Sequence, residues 1–253
     1  MRLRIALPAV LLGVPVPGSE NPVIAAPVGE LEAEFSFWSC KEPRLEGRGE
    51  LESLWQRASS GLDLRLCARV NPIRQSQQAN EYFALSAALL YALHKEHGER
   101  LSAEELVEIA AQLEDVPDPS WRVVYEALWY SAHRGTPVAY RNLAEAFELG
   151  FRIKASLRSG RRLRGSRVTR ELVGEELYGA IVHLMGSAVL EVSLRLREGQ
   201  EPREVIEAFA PLHDGIASMV WGLPPERGCL WSPSTYNSFS LLCLEGWGEG
   251  SEV

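Results

Sequence analysis

Apolar residues recur with the period of an α-helix through most of the chain between residues 80 and 221. After the capping box that begins at Ser102, for example, Leu106, Ile109 and Leu113 fall on one face of a helix. Most of the other periodic segments also begin at a capping residue or a proline. The predicted helices occupy residues 80–97, 102–113, 118–135, 136–151, 169–197 and 201–221.

The same spacing predicts which side chains face inward. Leu128 and Trp129 lie on the apolar face of the third helix, Phe147 on that of the fourth and Leu184 on that of the fifth. We therefore expect all four side chains to be buried. Pro211 predicts a kink in the last helix.

Short connections between these segments predict an all-α fold, a compact bundle of about six helices over residues 80–221. Residues 1–79 are rich in Pro and Gly and are predicted to form an irregular arm with a short helix near residues 50–57. Residues 222–253 contain several Gly and Pro residues and are predicted to form a loop-like tail.

The N-terminus permits two interpretations. Arg2 and Arg4 precede an apolar run from Ile5 to Val16, which is the order of features in a signal peptide. Prolines at positions 8, 15 and 17 would interrupt the helix of such a signal. The second interpretation, an extended arm that lies on the protein or on a neighbouring subunit, is therefore favoured.

Composition indicates a folded, globular protein. Of the 253 residues, 46% are hydrophobic and 8% aromatic, which argues against disorder. The sequence also has no uninterrupted apolar run near the roughly 18 residues that a membrane-spanning helix needs.

Charge is distributed unevenly. A basic segment, residues 152–170, contains eight cationic side chains and no Asp or Glu. Because the whole chain carries −8 and this segment +8, the remainder carries −16. The cationic residues are Arg152, Lys154, Arg158, Arg161, Arg162, Arg164, Arg167 and Arg170.

These eight residues are predicted to form an anion-binding surface, since arginine binds phosphate oxygens with two parallel hydrogen bonds. Residues 152–170 contain no Trp, Tyr or Phe on which bases could stack. The predicted partner is therefore a polyanion recognised by charge, either the backbone of RNA or DNA or an anionic lipid surface. The alternative is a solvated loop whose charges bind nothing.

Four cysteines leave the cellular compartment open. Cys40 and Cys67 could form one disulfide and Cys229 and Cys243 a second, if the chain is exported. The same number of cysteines is ordinary in a reduced cytosolic protein.

Motifs for catalysis are absent from the sequence. It contains no glycine-rich phosphate-binding loop, no G-x-S-x-G and no H-E-x-x-H. His94 and His97 are interpreted as residues at the end of a helix rather than as metal ligands. The sequence therefore predicts no enzyme, no cofactor, no metal and no small-molecule substrate.

Two hypotheses follow. In the first, the chain is a non-catalytic helical binding or assembly protein, built on the plan of coat, nucleocapsid or matrix proteins, which self-associates through its N-terminal arm and C-terminal tail. This hypothesis favours the cytoplasm or an assembled particle. In the second, the chain is an exported helical protein with two disulfides, and the basic segment is incidental.

Overall fold

A computed structural model describes residues 2–46, 52, 55–56, 65–71, 116 and 118–246. The strands are β1 (Arg2–Leu12), β2 (Val23–Ser39), β3 (Leu45–Glu46), β4 (Leu66–Asn71), β5 (Val138–Tyr140), β6 (Ala146–Glu148), β7 (Ala155–Arg162), β8 (Cys229–Pro233) and β9 (Ser238–Leu244). The helices are α1 (Pro119–Arg134), α2 (Arg170–Val173), α3 (Glu175–Arg197) and α4 (Pro202–Trp221). The fold is therefore mixed α/β, and the prediction of an all-α bundle is wrong. The predicted helices at 80–97 and 102–113 lie outside the described residues.

Two sheets carry the strands. In the larger sheet, β2 pairs antiparallel with β1 along one edge and with β4 and β5 along the other. β3 runs parallel to β4, and β6 runs antiparallel to β5. The smaller sheet has the antiparallel order β7-β9-β8. Helix α1 packs on β1 and β2.

The segment interpreted as an N-terminal arm is a core strand. Leu7, Val10 and Leu11 of β1 are completely buried. A continuous apolar run is typical of a strand that is covered on both faces, and it has the same composition as the apolar region of a signal peptide. Pro8 lies opposite Pro27 at an irregularity in the pairing of β1 with β2, where a missing amide is tolerated.

The predicted helix at 136–151 is also wrong. Its residues form β5, a short 3-10 turn and β6. The side chain of Asn142 accepts hydrogen bonds from the amides of Ala144 and Glu145, both at 3.0 Å, and so stabilises the turn. Phe147 lies opposite Ala139 across the two strands and is 47% exposed, not buried as expected.

The predicted tail contains β8 and β9, which are held together by the disulfide between Cys229 and Cys243. These two cysteines are direct partners in the strand pairing. The second disulfide, Cys40–Cys67, links the residue after β2 to β4. Both pairings are those considered from the sequence spacing.

Two predicted helices are confirmed as α1 and α4. The carboxylate of Asp118 caps α1 and Gly135 ends it with a φ of +67°, while Pro211 lies inside α4. Leu128 and Trp129 of α1 are buried, as expected.

The predicted helix at 169–197 is divided in two. Gly174, with a φ of +80°, separates α2 from α3. The inner face of α3 is buried and α3 packs along α4, whereas Leu184 lies on its outer face and is 48% exposed. The expectation that Leu184 is a core residue is therefore wrong.

Candidate functional site

The loop between β1 and β2, residues 13–22, is fixed at its start by α4. Gly13 has a φ of +113°, and a Cβ there would lie 2.7 Å from Cγ1 of Val23. Its amide donates to Nδ1 of His213 at 3.2 Å, and Nε2 of His213 lies 2.9 Å from the carbonyl oxygen of Trp231. Complete burial lowers the pKa of His213 to about 4. The imidazole is thus neutral at pH 7, and its hydrogen bonds place the proton on Nε2.

Two carbonyl groups in the middle of the loop accept hydrogen bonds from aromatic side chains. Nε1 of Trp221 donates to the oxygen of Pro15 at 2.7 Å, and the phenol of Tyr178 donates to that of Pro17 at 2.6 Å. The guanidinium of Arg170 lies 5.0 Å from the ring centre of Tyr178. Desolvation raises the pKa of Tyr178, so the phenol remains a protonated donor at neutral pH.

The end of the loop is attached to α1 and to the residue after β5. The carboxylate of Asp118 accepts hydrogen bonds from the amide of Ser120 at 2.9 Å, its hydroxyl at 2.6 Å and the amide of Gly18 at 3.4 Å. Nε of Arg141 donates to the carbonyl of Glu20 at 3.3 Å. The loop is therefore pre-organised by three helices and the larger sheet.

A partly buried ionic network holds α1 against β5. Glu126 is only 8% exposed and accepts hydrogen bonds from the phenol of Tyr140 at 2.9 Å and from Nε of Arg122 at 2.8 Å. Desolvation and the adjacent carboxylate raise the pKa of Tyr140, and the hydrogen bond to Glu126 raises that of Arg122. Because both neighbours donate to Glu126, its carboxylate acts as an anchor rather than as a free base.

Part of the basic segment forms β7, an edge strand of the smaller sheet. Arg158 and Arg161 are exposed on either side of a bulge, where a Cβ on Gly160 would lie 2.1 Å from the carbonyl oxygen of Phe239. Charged side chains on an edge strand oppose pairing with other strands. Protection of this edge is a sufficient physical reason for the arginines on β7, and a ligand is not needed to explain them.

Arg164 and Arg167 lie beyond β7, where the chain passes Asn237 and reaches the end of α4. The amide of Leu163 donates to the carbonyl of Asn237 at 2.7 Å, and that of Arg167 donates to the carbonyl of Val220 at 2.7 Å. Both arginine side chains are exposed, and neither has an ion-pair partner within the described ranges.

We use the name junction for the region in which these segments come together. It comprises residues 13–22, 118–121, 163–170 and 234–237. Of the eight predicted anion-binding residues, Arg164, Arg167 and Arg170 lie in the junction. Arg170 also forms an ion pair with Glu175 at 3.3 Å. The other five, Arg152, Lys154, Arg158, Arg161 and Arg162, lie on β7 or in the segment before it.

An aromatic cluster lies within and behind the junction. The ring of Trp121 is 5.6 Å from that of Trp221, 5.8 Å from that of Tyr236 and 5.5 Å from that of Phe239. These edge-to-face contacts join α1, α4 and the smaller sheet.

Three solved structures align with almost the whole chain. Mevalonate kinase from methicillin-resistant Staphylococcus aureus has 15% identity and a TM-score of 0.55, over 96% of this chain and 89% of the kinase. Mevalonate pyrophosphate decarboxylase from Streptococcus pyogenes has 10% identity and a TM-score of 0.57, over 97% of this chain and 89% of the decarboxylase. Phosphomevalonate kinase from Streptococcus pneumoniae, solved with phosphomevalonate and AMPPNP, has 8% identity and a TM-score of 0.56, over 97% of this chain and 93% of the kinase. The chain has the fold of these proteins.

No protein-family model matches the sequence, and no curated protein matches it. The fold nevertheless corrects the functional predictions: both hypotheses assumed a helical protein, and the prediction of no enzyme rested on absent motifs. Similarity to two kinases and a decarboxylase contradicts both the assembly protein and the exported helical protein, and it contradicts the prediction of no enzyme. The structure solved with phosphomevalonate and AMPPNP contradicts the prediction of a polyanion partner and no small-molecule substrate. In the described residues, the predicted arm and tail contribute strands to the two sheets and are not free extended segments.

Sequence reasoning missed the residues that position the loop. No local pattern marks Asp118, Tyr178 or Trp221 as residues that contact this loop. One signal was present in the sequence: two apolar runs are separated by a Pro-rich stretch that begins at Gly13 and ends at Gly18. This pattern could have indicated an ordered loop between two strands. Within the part of the chain that the structure describes, no three His, Cys, Asp or Glu side chains form a group that could hold a metal.

Proposed function

We propose that this protein is an enzyme that binds a phosphorylated small molecule at the junction and catalyses phosphoryl transfer. The observation that carries the proposal is the pair of exposed guanidinium groups of Arg164 and Arg167, which have no ion-pair partner in the described ranges. They lie in a segment bonded to the end of α4, the helix whose Trp221 also holds the loop at 13–22. The fold shared with two kinases supports the reaction class. The alternative is decarboxylation of a phosphorylated small molecule, and the decarboxylase of the same fold supports it.

The proposed roles follow from charge and position. Arg164 and Arg167 neutralise phosphate oxygens, and Arg170, whose charge is shared with Glu175, orients the phenol of Tyr178. Phosphoryl transfer depends mainly on positioning and on stabilising negative charge, which is the chemistry that cations on a rigid support provide. Because the sequence has no glycine-rich phosphate loop, arginine side chains carry the phosphate contacts in this proposal.

The carboxylates near the junction are assigned to positioning rather than to proton transfer. Asp118 already accepts three hydrogen bonds, and Glu126 lies between two donors. His213 is completely buried and therefore holds Gly13 without contacting substrate.

Calorimetric titration with AMPPNP and with inorganic pyrophosphate tests the binding step. The double variant Arg164→Ala/Arg167→Ala should bind both at least about tenfold more weakly, since hydrogen bonds to charged groups contribute about 1.5–3 kcal/mol each. The control, Arg158→Ala/Arg161→Ala, removes the same charge from β7 and should bind like the wild type. Equal weakening in both variants, or no binding by the wild type, would contradict a site at the junction.

Turnover is tested separately, by ADP release from ATP with mevalonate, phosphomevalonate and other small hydroxylated or phosphorylated acceptors. Acceptor-dependent release that falls in Arg164→Ala/Arg167→Ala but not in the β7 control is the expected result. Binding of AMPPNP without turnover on any acceptor would contradict the catalytic step and retain the binding site.

A further inference from the structure

The guanidinium of Arg167 lies against Gly222, the residue that ends α4. A Cβ on Gly222 would lie 2.5 Å from Nη2 of Arg167 and closer still to its Cζ and Nε. The guanidinium therefore occupies the space that any side chain at position 222 would need. Gly222 also has a φ of +67°, in the left-handed region that favours glycine.

The main chain of Arg167 is bonded to the same end of α4. Its amide donates to the carbonyl oxygen of Val220 at 2.7 Å, and the hydroxyl of Ser166 lies 3.1 Å from that oxygen. Carbonyl groups in the last turn of a helix have no partner within the helix, so these contacts satisfy an acceptor that the helix leaves open. Arg167 is thus held against α4 at its main chain and at its guanidinium.

The donors of this guanidinium remain available. Among the described residues, the side chain of Arg167 makes no hydrogen bond and no ion pair, and its contact with Gly222 is one of packing. A guanidinium that is oriented by packing keeps all its N–H donors for a ligand. It also loses less conformational freedom when a ligand binds than a freely rotating arginine does.

Gly135 shows that the end of a helix does not by itself require such a contact. Gly135 ends α1 with the same φ, +67°, and with a ψ of 23°, against 30° at Gly222. Apart from the adjoining backbone, no atom of the described chain lies within 4 Å of a Cβ built on Gly135. The two glycines share a backbone requirement, and only Gly222 has an arginine in the place of its side chain.

We propose that Gly222 is a positioning residue, which holds the guanidinium of Arg167 in the orientation that binds phosphate oxygens. This inference rests on the proposed function, because it concerns an arginine of the same site. Any side chain at position 222 displaces the guanidinium, which can move aside because it ends a flexible chain. The displaced arginine keeps its charge and loses its fixed direction, so two parallel hydrogen bonds to one phosphate become harder to form.

Calorimetric titration with inorganic pyrophosphate compares Gly222→Ala with its matched control, Gly135→Ala. Gly222→Ala should raise the dissociation constant at least about fivefold, because an oriented contact with the anion is lost. Gly135→Ala should bind like the wild type. Thermal melts should show similar destabilisation of both variants, since each places a Cβ at the same positive φ.

A double-mutant cycle shows whether Gly222 acts through Arg167. In the Arg167→Ala background, adding Gly222→Ala should not weaken pyrophosphate binding further. Equal weakening by Gly222→Ala with and without Arg167 would overturn the proposal, because Gly222 would then act by another route. Binding by Gly222→Ala that matches the wild type would also overturn it.

Nitrogen-15 relaxation of the Nε–H group of Arg167, assigned with Arg167→Lys, tests the positioning without any ligand. The group should be rigid on the nanosecond timescale in the wild type and in Gly135→Ala, and mobile in Gly222→Ala. A mobile group in the wild type, or a group equally rigid in Gly222→Ala, would overturn the inference. A rigid group in a wild type that binds no pyrophosphate would contradict the proposed function and the phosphate role of Arg167, and would retain the positioning by Gly222.

Discussion

The phenol of Tyr178 donates a 2.6 Å hydrogen bond to the carbonyl of Pro17, a residue 161 positions away in the sequence. Tyr178 belongs to the first turns of α3, and Pro17 lies in the middle of the loop between β1 and β2. A Cβ on the neighbouring Gly18 would lie only 3.4 Å from the same phenol oxygen. Tyr178 is therefore the side chain through which α3 helps to fix the position of the loop.

Replacing Tyr178 by Phe removes this hydrogen bond and keeps the ring. We expect the free energy of unfolding to fall by about 1 kcal/mol, the usual net value of one hydrogen bond, and AMPPNP binding to weaken because the loop is held less firmly. Urea melts and calorimetry measure the two effects. Arg158→Ala/Arg161→Ala is the control, since both residues lie on β7, outside the junction. Unchanged binding in Tyr178→Phe would argue against a role for the loop.

His213 should make the protein sensitive to acid. Its pKa is about 4 in the folded state and 6.5 ordinarily, so between these pH values the unfolded chain binds more protons. The stability that the neutral, buried imidazole contributes is complete above pH 6.5 and is lost on acidification to pH 4. This loss lowers the free energy of unfolding by about 3 kcal/mol. In His213→Gln the stability at pH 7 should be lower but its decline towards pH 4 shallower. Urea melts with the same pH dependence in both proteins would exclude a buried, neutral imidazole.

Asp214 should act in the opposite direction. Burial raises its pKa from 3.8 to about 6, and its Oδ1 is buried without a hydrogen-bond partner among the described residues. Since the folded state disfavours the charged form, stability from this group is present below pH 3.8 and is lost as pH rises through 6. Asp214→Asn should therefore be more stable than the wild type at pH 7, by about 1 kcal/mol after allowance for partial exposure, and not at pH 4. Thermal melts at the two pH values make the comparison.

Two leucines that the helical pattern assigns alike should behave differently. Leu128 is completely buried, and Leu128→Ala should cost about 2–5 kcal/mol. Leu184 is on the exposed face of α3, and Leu184→Ala should change the stability of the protein by about 0.5 kcal/mol or less. Urea melts of the two variants measure both. A large cost at Leu184 would mean that another part of the chain covers this face.

The elements that could be predicted are those with local signals at both ends. Helix α1 has Asp118 before it and Gly135 after it, and α4 begins at a proline and ends at Gly222. The apolar run from Ile5 to Val16 has no such signal, because a buried strand and an apolar targeting segment have the same composition. Residues 136–151 fit a helical period by chance, and their pairing with β2 is a long-range contact that periodicity cannot detect.

The candidate site was predicted only in part. The basic segment is visible as a run of charge, but its division into an edge strand and a junction depends on where β9 and α4 lie. The loop at 13–22 is positioned by Asp118, Tyr178, Trp221 and His213, which are far apart in sequence and come together only in the folded chain. No local pattern connects them.

Hydrogen exchange measured with and without AMPPNP tests the central claim most directly, because it reports where a phosphorylated ligand binds. We expect added AMPPNP to slow exchange in residues 13–22 and 163–170, two of the four segments that form the junction, and to leave β7 (Ala155–Arg162) unchanged. Arg164→Ala/Arg167→Ala should abolish this protection. Protection confined to β7, or no change in residues 13–22 at a concentration that saturates binding, would contradict the account.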